Sequence, residues 1–254
     1  MGKFVDTGLL LAGDVFMSEI LSAGVYGPAS GPINVSQLQL TPPTTEEKSR
    51  ASNKKESFGQ TLDAVQVPKD PAKVSIKWDT ASKALLADAV AGKAESFATT
   101  SKTVADEAVT LSADGYLELA NQNLDTLGWS VKKSSNSTLL VEGTDYEVKR
   151  DLGLIMALTE AAAVAVKVSY KTKVVSGTKV SGATEITKPR RILVDGVNLA
   201  TNERVRVVIE HGVFTAKGAT DLMKGDFIEG ELEGTLVTPA GKTAPWTIEV
   251  FNVA

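Results

Sequence analysis

Glu229, Glu231 and Glu233 stand two residues apart within residues 225–236 (GDFIEGELEGTL). As a β-strand this run puts three carboxylates on one face and Ile228, Leu232 and Leu236 on the other. Same-face neighbours in a strand lie roughly 6.5–7 Å apart, close to the separation of paired glycosidase carboxylates, so acid/base work or calcium ligation is the chemistry this spacing allows. A sugar cleft also needs aromatic platforms, yet Phe, Tyr and Trp make up only 6% of the chain and Trp78, Trp129 and Trp246 are scattered along it. Three like charges in a row repel one another. A strand holds them only where that face meets water, and there they also discourage a polyanion from adhering.

Other chemistry is sparse. The single histidine, His211, removes mechanisms that need paired imidazoles, and beside Gly212 at a strand end it reads as structural. No GxSxG nucleophile elbow occurs. Residues 177–182 have the glycine spacing of a phosphate loop but are followed by Ala183 and Thr184, so the phosphate-holding lysine is missing and a flexible bridge is the better reading. With no cysteine there is no disulfide framework and no thiolate metal site. Nothing here asks for a cofactor or a catalytic role, and Trp78, on an apolar strand face, reads as core.

Lys188, Arg190 and Arg191 form the one compact basic cluster, read as a solvated edge or an interface salt bridge to an acidic neighbour. The net charge of −4 argues against broad electrostatic binding of nucleic acid, which requires clustered Lys and Arg. The N-terminus lacks a charged segment followed by an apolar one, and Leu9 to Ala12 is too short to span a bilayer. The expectation is therefore a chain kept in the cytosol, with no membrane partner, in which the Asn34-Val35-Ser36 and Asn136-Ser137-Thr138 sequons are chance matches.

A length of 254 residues is compatible with one large all-β domain or two smaller ones. Strand signals cover residues 14–21 and 33–40, the latter ended by Pro42-Pro43. Seven of the next fourteen residues, 44–57, are charged and none of the apolar ones is larger than Ala. That segment cannot repay its ordering entropy by burial within one subunit, so it reads as a mobile arm that orders on a neighbouring copy, carried by Thr44, Glu46, Glu47, Lys48, Arg50, Lys54, Lys55 and Glu56. Residues 1–11 form a second candidate reaching element.

Residues 62–67 and 73–78 predict a hairpin around the Pro68-Lys69-Asp70-Pro71 turn. Asp79 or Thr80 would then cap a helix over 81–91, stopped by Gly92. A strand over 97–103 precedes a middle section, 104–173, which reads either as an insertion or as more sheet. Further strands follow at 191–197, 204–210, 225–236 and 247–253.

Taken in order, 59–68 (GQTLDAVQVP), 73–79 (KVSIKWD), the helix to Gly92, 142–148 (EGTDYEV), 166–170 (VKVSY), 192–200 (ILVDGVNLA), 204–209 and Gly225-Asp226-Phe227 resemble the major tail tube proteins of long-tailed bacteriophages. Each motif is a degenerate strand pattern, and their order carries the likeness. The resemblance implies a mainly β fold over 1–254, a β-sandwich or barrel with one flanking helix, long loops and an elaborated middle segment. It also implies hexameric rings stacked into a tube in the virion tail, built in the host cytoplasm, as in contractile phages and type VI secretion systems. Its partners would be further copies of itself, a tape-measure protein and a tail terminator, with genomic DNA passing through unbound. On that reading the 44–57 arm joins adjacent rings, and Glu229, Glu231 and Glu233 line an acidic lumen. A different class, a carbohydrate-binding or adhesin-like β-sandwich, is disfavoured by the low aromatic content.

Overall fold

The computed structural model describes residues 8–80, 82–223 and 225–251. Strands occupy most of it, with one α-helix, so the protein is mainly β. The chain divides into two compact units, residues 1–94 with 180–254 and residues 95–179, and the stretch 104–173 falls inside the second.

The first unit opens with β1 (Leu11–Ser22), β2 (Val25–Tyr26), β3 (Ser30–Ile33), β4 (Val35–Thr41), β5 (Thr45–Ala51), β6 (Thr61–Pro68), β7 (Lys73–Trp78) and helix α1 (Lys83–Ala89). The second unit holds most of β8 (Lys93–Thr99), then β9 (Thr103–Thr110), β10 (Leu117–Glu118), β11 (Ser130–Lys133), β12 (Tyr146–Lys149), β13 (Leu154–Ala157), β14 (Ala165–Lys171) and much of β15 (Val175–Ser181). The chain then returns through β16 (Lys188–Asn198), β17 (Arg204–Ala216), β18 (Gly230–Leu236) and β19 (Trp246–Phe251).

The main sheet runs β2-β1-β16-β17-β18-β7-β4. At thirteen residues β17 is long enough to serve two partners. Its first half pairs with β19 from Arg204 to Ile209, its second half with β18 from Gly212 to Ala216, and a register shift between Arg190 and Ile192 on β16 accompanies the change. Alternation then sends Val15, Met17, Ile192, Val194, Val205, Val207, Ile209 and Phe214 into the same core as Val74, Ile76, Trp78 and Leu232. Trp78 is 2% exposed and belongs to this core, as its strand face indicated.

Helix α1 closes the core with Leu85 and Ala89. Its cap is Ser82, whose hydroxyl accepts from the Leu85 N–H at 3.1 Å, and not Asp79 or Thr80. The Thr80 hydroxyl accepts instead from the Asn34 N–H, and the Asp79 carboxylate takes the Asn34 side-chain amide, so both are spent before the helix begins.

Four further expectations are corrected. β6 does not pair with β7: β7 lies between β4 and β18, while β6 pairs with β5 in register from Thr45↔Pro68 to Ala51↔Thr61. Residues 44–57 are therefore not a structureless arm, because cross-strand backbone bonds order 45–51 where burial cannot. Residues 175–181, read as a flexible bridge, are strand β15 and pair with β8, so the strands leading into and out of the second unit are joined. The strand expected over 97–103 is divided between β8 and β9.

In the second unit the sheets β10-β13-β12 and β11-β14-β9 share a separate core of Leu119, Leu124, Val131, Ile155, Val166, Val168 and Tyr170. Trp129 packs beside Tyr146 and Tyr170, with ring centroids 6.4 and 6.1 Å away, and its indole N–H donates to the Tyr146 hydroxyl at 2.8 Å.

Candidate functional site

The strand pair β5–β6 is built to stand in water. Every residue of β5 is exposed, and of β6 only Val67 is partly covered. Its base is fixed by Thr44 and Asp70: the Thr44 hydroxyl donates to the Asp70 carboxylate at 2.7 Å and accepts from the Asp70 N–H at 3.2 Å, while the Thr44 N–H donates to the Asp70 carbonyl and the Thr44 carbonyl accepts from the Lys69 N–H. Along the ribbon Arg50 holds Asp63 at 2.6 Å, Lys48 holds Glu46 at 3.2 Å and Gln66 donates to Glu47. Exposed pairs of this kind add little stability. What they do is keep a lone ribbon soluble and its edges unattractive to random strands.

The tip is tied more firmly. Ser52 is buried, its N–H donates to the Gln60 carbonyl, its carbonyl accepts from Gly59, and its hydroxyl lies 2.7 Å from that of Ser57. Gly59 takes φ +82°, a left-handed value that suits glycine. This knot holds out Lys54, Lys55 and Glu56, none of which has an ion-pair partner among the described residues, and Phe58, 76% exposed. Sequence reasoning missed Phe58, which lies one residue past the charged run.

The acidic run is shorter than expected. β18 begins at Gly230, so Glu229 precedes the strand, and only Glu231 and Glu233 share its outer face. They do not form a bare negative wall. β7 sets Lys77 opposite Glu231, with an ion pair of 3.3 Å, and Lys217, just past β17, reaches Glu231 at 3.1 Å and Glu233 at 3.0 Å. The Ser75 hydroxyl also donates to Glu231. Burial pushes the Glu231 carboxyl up, but the hydrogen bonds from Lys217, Ser75 and Lys77 outweigh it and hold it below the ordinary value. The Lys217 ammonium is held above its own by Glu233 and Glu231. A one-strand reading cannot see these lysines, because they arrive from neighbouring strands.

The basic cluster is spent inside the subunit. Lys188 is buried and meets Asp88 of α1 at 2.7 Å; Arg190 meets Asp88 at 3.1 Å and Glu19 of β1 at 2.9 Å; Arg191 meets Glu210 at 3.0 Å. Within the subunit these bonds pin α1, β1 and β17 to β16. Glu210 also pairs with Lys242 at 2.7 Å and accepts from the Tyr26 hydroxyl. Its burial raises the carboxyl, and the bonds from Lys242 and Arg191 bring it below the ordinary range.

A family model described as "Protein of unknown function UCP028589" matches residues 9–245. The chain belongs to this family. No curated protein matches it. The UCP028589 match runs through both compact units, the hairpin and β18, so the second unit lies within what the family model covers.

In this member of the UCP028589 family a cleft of about 590 Å³ lies over β16, β17 and β19. It is lined by internally paired charges, Arg204 with Asp195, Arg206 with Glu249 and Arg191 with Glu210. Among the described residues no three His, Asp or Glu side chains come together as metal ligands. His211 lies half-buried in β17, where its carbonyl accepts from the Val237 N–H. Of the N-terminal reaching element, residues 1–7 fall outside the described residues. Beyond them the Leu10 N–H donates to the Asn198 side chain at 3.0 Å, and Leu9 and Leu10 are exposed.

Proposed function

We propose that this chain is a structural subunit that self-assembles into stacked rings, and through them into the tail tube of a phage-like particle. The observation that carries the proposal is the β5–β6 hairpin. Isolated two-stranded ribbons are marginal in water, and this one has no core of its own within the subunit. An element of that kind earns its place by docking on something else, and the ordered resemblance to tail tube proteins names a second copy as that partner.

On this reading the polar face of β4, β7 and β18 borders the bore. There Gln37, Gln39, Lys73, Ser75 and Lys77 stand beside Glu231, Glu233 and Thr235. Such a wall is hydrophilic and close to charge-balanced. Its lysines are largely committed to carboxylates, leaving few free cations to hold phosphates, and a passing nucleic acid would slide. A tape-measure protein and a terminator would be further partners, and the virion tail the place of action.

The test is negative-stain microscopy of the purified chain beside a variant in which residues 43–71 are replaced by Asn-Gly. Thr41 and Lys73 are cross-strand partners, so this short turn closes β4 onto β7 without disturbing either strand. Rings or tubes from the parent chain and a folded, dispersed variant are expected. A parent chain that stays monomeric at high concentration would sink the proposal.

A further inference from the structure

Register places the hairpin and a second unsatisfied surface at opposite ends of the same strands. In β7 and its neighbours, Lys73 pairs with Thr41 and Thr235, while Trp78 pairs with Val35 and Gly230. The hairpin leaves from the Lys73 end, between Thr41 and Lys73. At the Trp78 end, about 17 Å along the strands, lie α1 and residues 217–223 and 225–229, which precede β18.

That far end is apolar and exposed. Leu222 is 61%, Met223 93% and Phe227 80% exposed, and Ile228 lines a cavity of about 180 Å³ together with Trp78, Leu85, Leu86 and Ala89. Apolar cavities of about 150 Å³ accept a benzene ring. Residues 221–229 carry three carboxylates, Asp221, Asp226 and Glu229, against Lys224. The three carboxylates are exposed and have no ion-pair partner among the described residues.

The hairpin tip is the complement of this surface in both respects. It offers one exposed aromatic ring, Phe58, and an excess of positive charge, Lys54 and Lys55 against Glu56. Lys83, exposed at the start of α1 and lining the cavity, supplies a counter-charge for Glu56.

We infer that the hairpin tip of one copy docks on the Trp78 end of the next, with Phe58 in the cavity that Ile228 lines and Lys54 and Lys55 facing Asp226 and Glu229. This rests on the self-assembly reading above and names the acceptor that reading lacks. Donor and acceptor at opposite ends of one strand stack make a heterologous, head-to-tail contact, which propagates along the strand direction instead of closing on itself. Charge complementarity sets its register and excludes the reversed orientation.

The absence of cysteine makes the test direct. Two single variants, Phe58→Cys and Ile228→Cys, are mixed, assembled and oxidised. A disulfide-linked dimer that needs both variants is expected, with none when Phe58→Cys is mixed with Leu127→Cys, an exposed position in the second unit. In parallel, Asp226→Lys with Glu229→Lys should raise the concentration at which assembly begins by about tenfold or more, and adding Lys54→Glu with Lys55→Glu to the same chain should restore it. Parent chain that assembles, with no Phe58–Ile228 cross-link and with charge reversal leaving tubes unchanged, overturns the acceptor while leaving self-assembly standing. Parent chain that never assembles overturns both.

Discussion

The Lys188 ammonium lies 2.7 Å from the Asp88 carboxylate inside the first unit, joining β16 to α1 across one hundred residues of sequence. Both groups are buried, and Lys188 donates as well to the Gly92 carbonyl just past the helix. Buried pairs add little net stability over an apolar pair, but removing one partner strands the other charge. Asp88→Ala should therefore cost about 3–5 kcal/mol in urea unfolding. Asp88→Asn, which keeps an acceptor oxygen, should fall in between. A loss under about 1 kcal/mol for Asp88→Ala would mean that Glu185, 3.5 Å from Lys188, or water takes over the ammonium.

The Glu231 carboxyl predicts an acid limb. Its folded value lies below the ordinary 4.5, so its contribution to stability is present above that value and lost as pH falls through the lower, folded one. Glu231→Gln should flatten the pH dependence of unfolding free energy below 4.5 and leave the slope between pH 6 and 8 unchanged. Lys217 works in the opposite sense: its raised value gives stability that is present below 10.5 and lost only at more alkaline pH. An unchanged acid limb in Glu231→Gln would place that titration on other carboxylates.

The same geometry changes what charge reversal on β18 does. Glu231→Lys with Glu233→Lys sets new ammonium groups against Lys77 and Lys217, and like charges directly across a sheet are destabilising. The double variant should lose about 1 kcal/mol or more of folding stability, whereas Glu231→Gln with Glu233→Gln should lose less. Thermal unfolding of the monomer compares them. The Gln pair is thus the cleaner probe of the role proposed for this face.

The contrast between strand and sheet explains what the sequence disclosed. Alternation in residues 73–78 and 204–210 identifies strands and their buried faces, since period two is a local property, and Trp78, Ile76 and Ile209 are all core. Pairing is not local. The turn at 68–71 suggested that β6 answers β7, but the polar residues 45–51 are its actual partner, joined to it by backbone bonds and by the Arg50–Asp63 and Glu47–Gln66 pairs, none of which periodicity discloses. The acidic run looked unbalanced because Lys77 and Lys217 lie far from it in sequence, and Lys188 looked like a surface cation because Asp88 stands one hundred residues away. Phe58 and Phe227 carry a readable signal of an exposed contact surface, large apolar side chains amid turn residues.

The second unit should fold alone. Its core draws on residues 104–170, including the Trp129, Tyr146 and Tyr170 cluster, and β8 and β15 bring its two ends together. A fragment covering residues 93–181 is expected to unfold cooperatively in urea, with Tyr146→Ala costing about 3–5 kcal/mol through the cavity it leaves. A fragment with no cooperative transition would mean that its stability comes from the rest of the chain.

Gly230 tests how tightly the Trp78 end is built. It is the first residue of β18, pairs with Trp78, and a Cβ there would sit 2.5 Å from the indole ring. Trp78 is fixed by the surrounding core and has little room to withdraw. Gly230→Ala should then cost about 1–3 kcal/mol, the range for overpacking, or several degrees in thermal unfolding for a chain of this size. Gly225→Ala, five residues earlier and with nothing near its Cβ position, should be close to neutral. The pair separates crowding at the ring from any general sensitivity of the 217–229 segment. If Gly230→Ala unfolds at the parent temperature, the indole yields at no cost and the cavity beside it is softer than its walls imply.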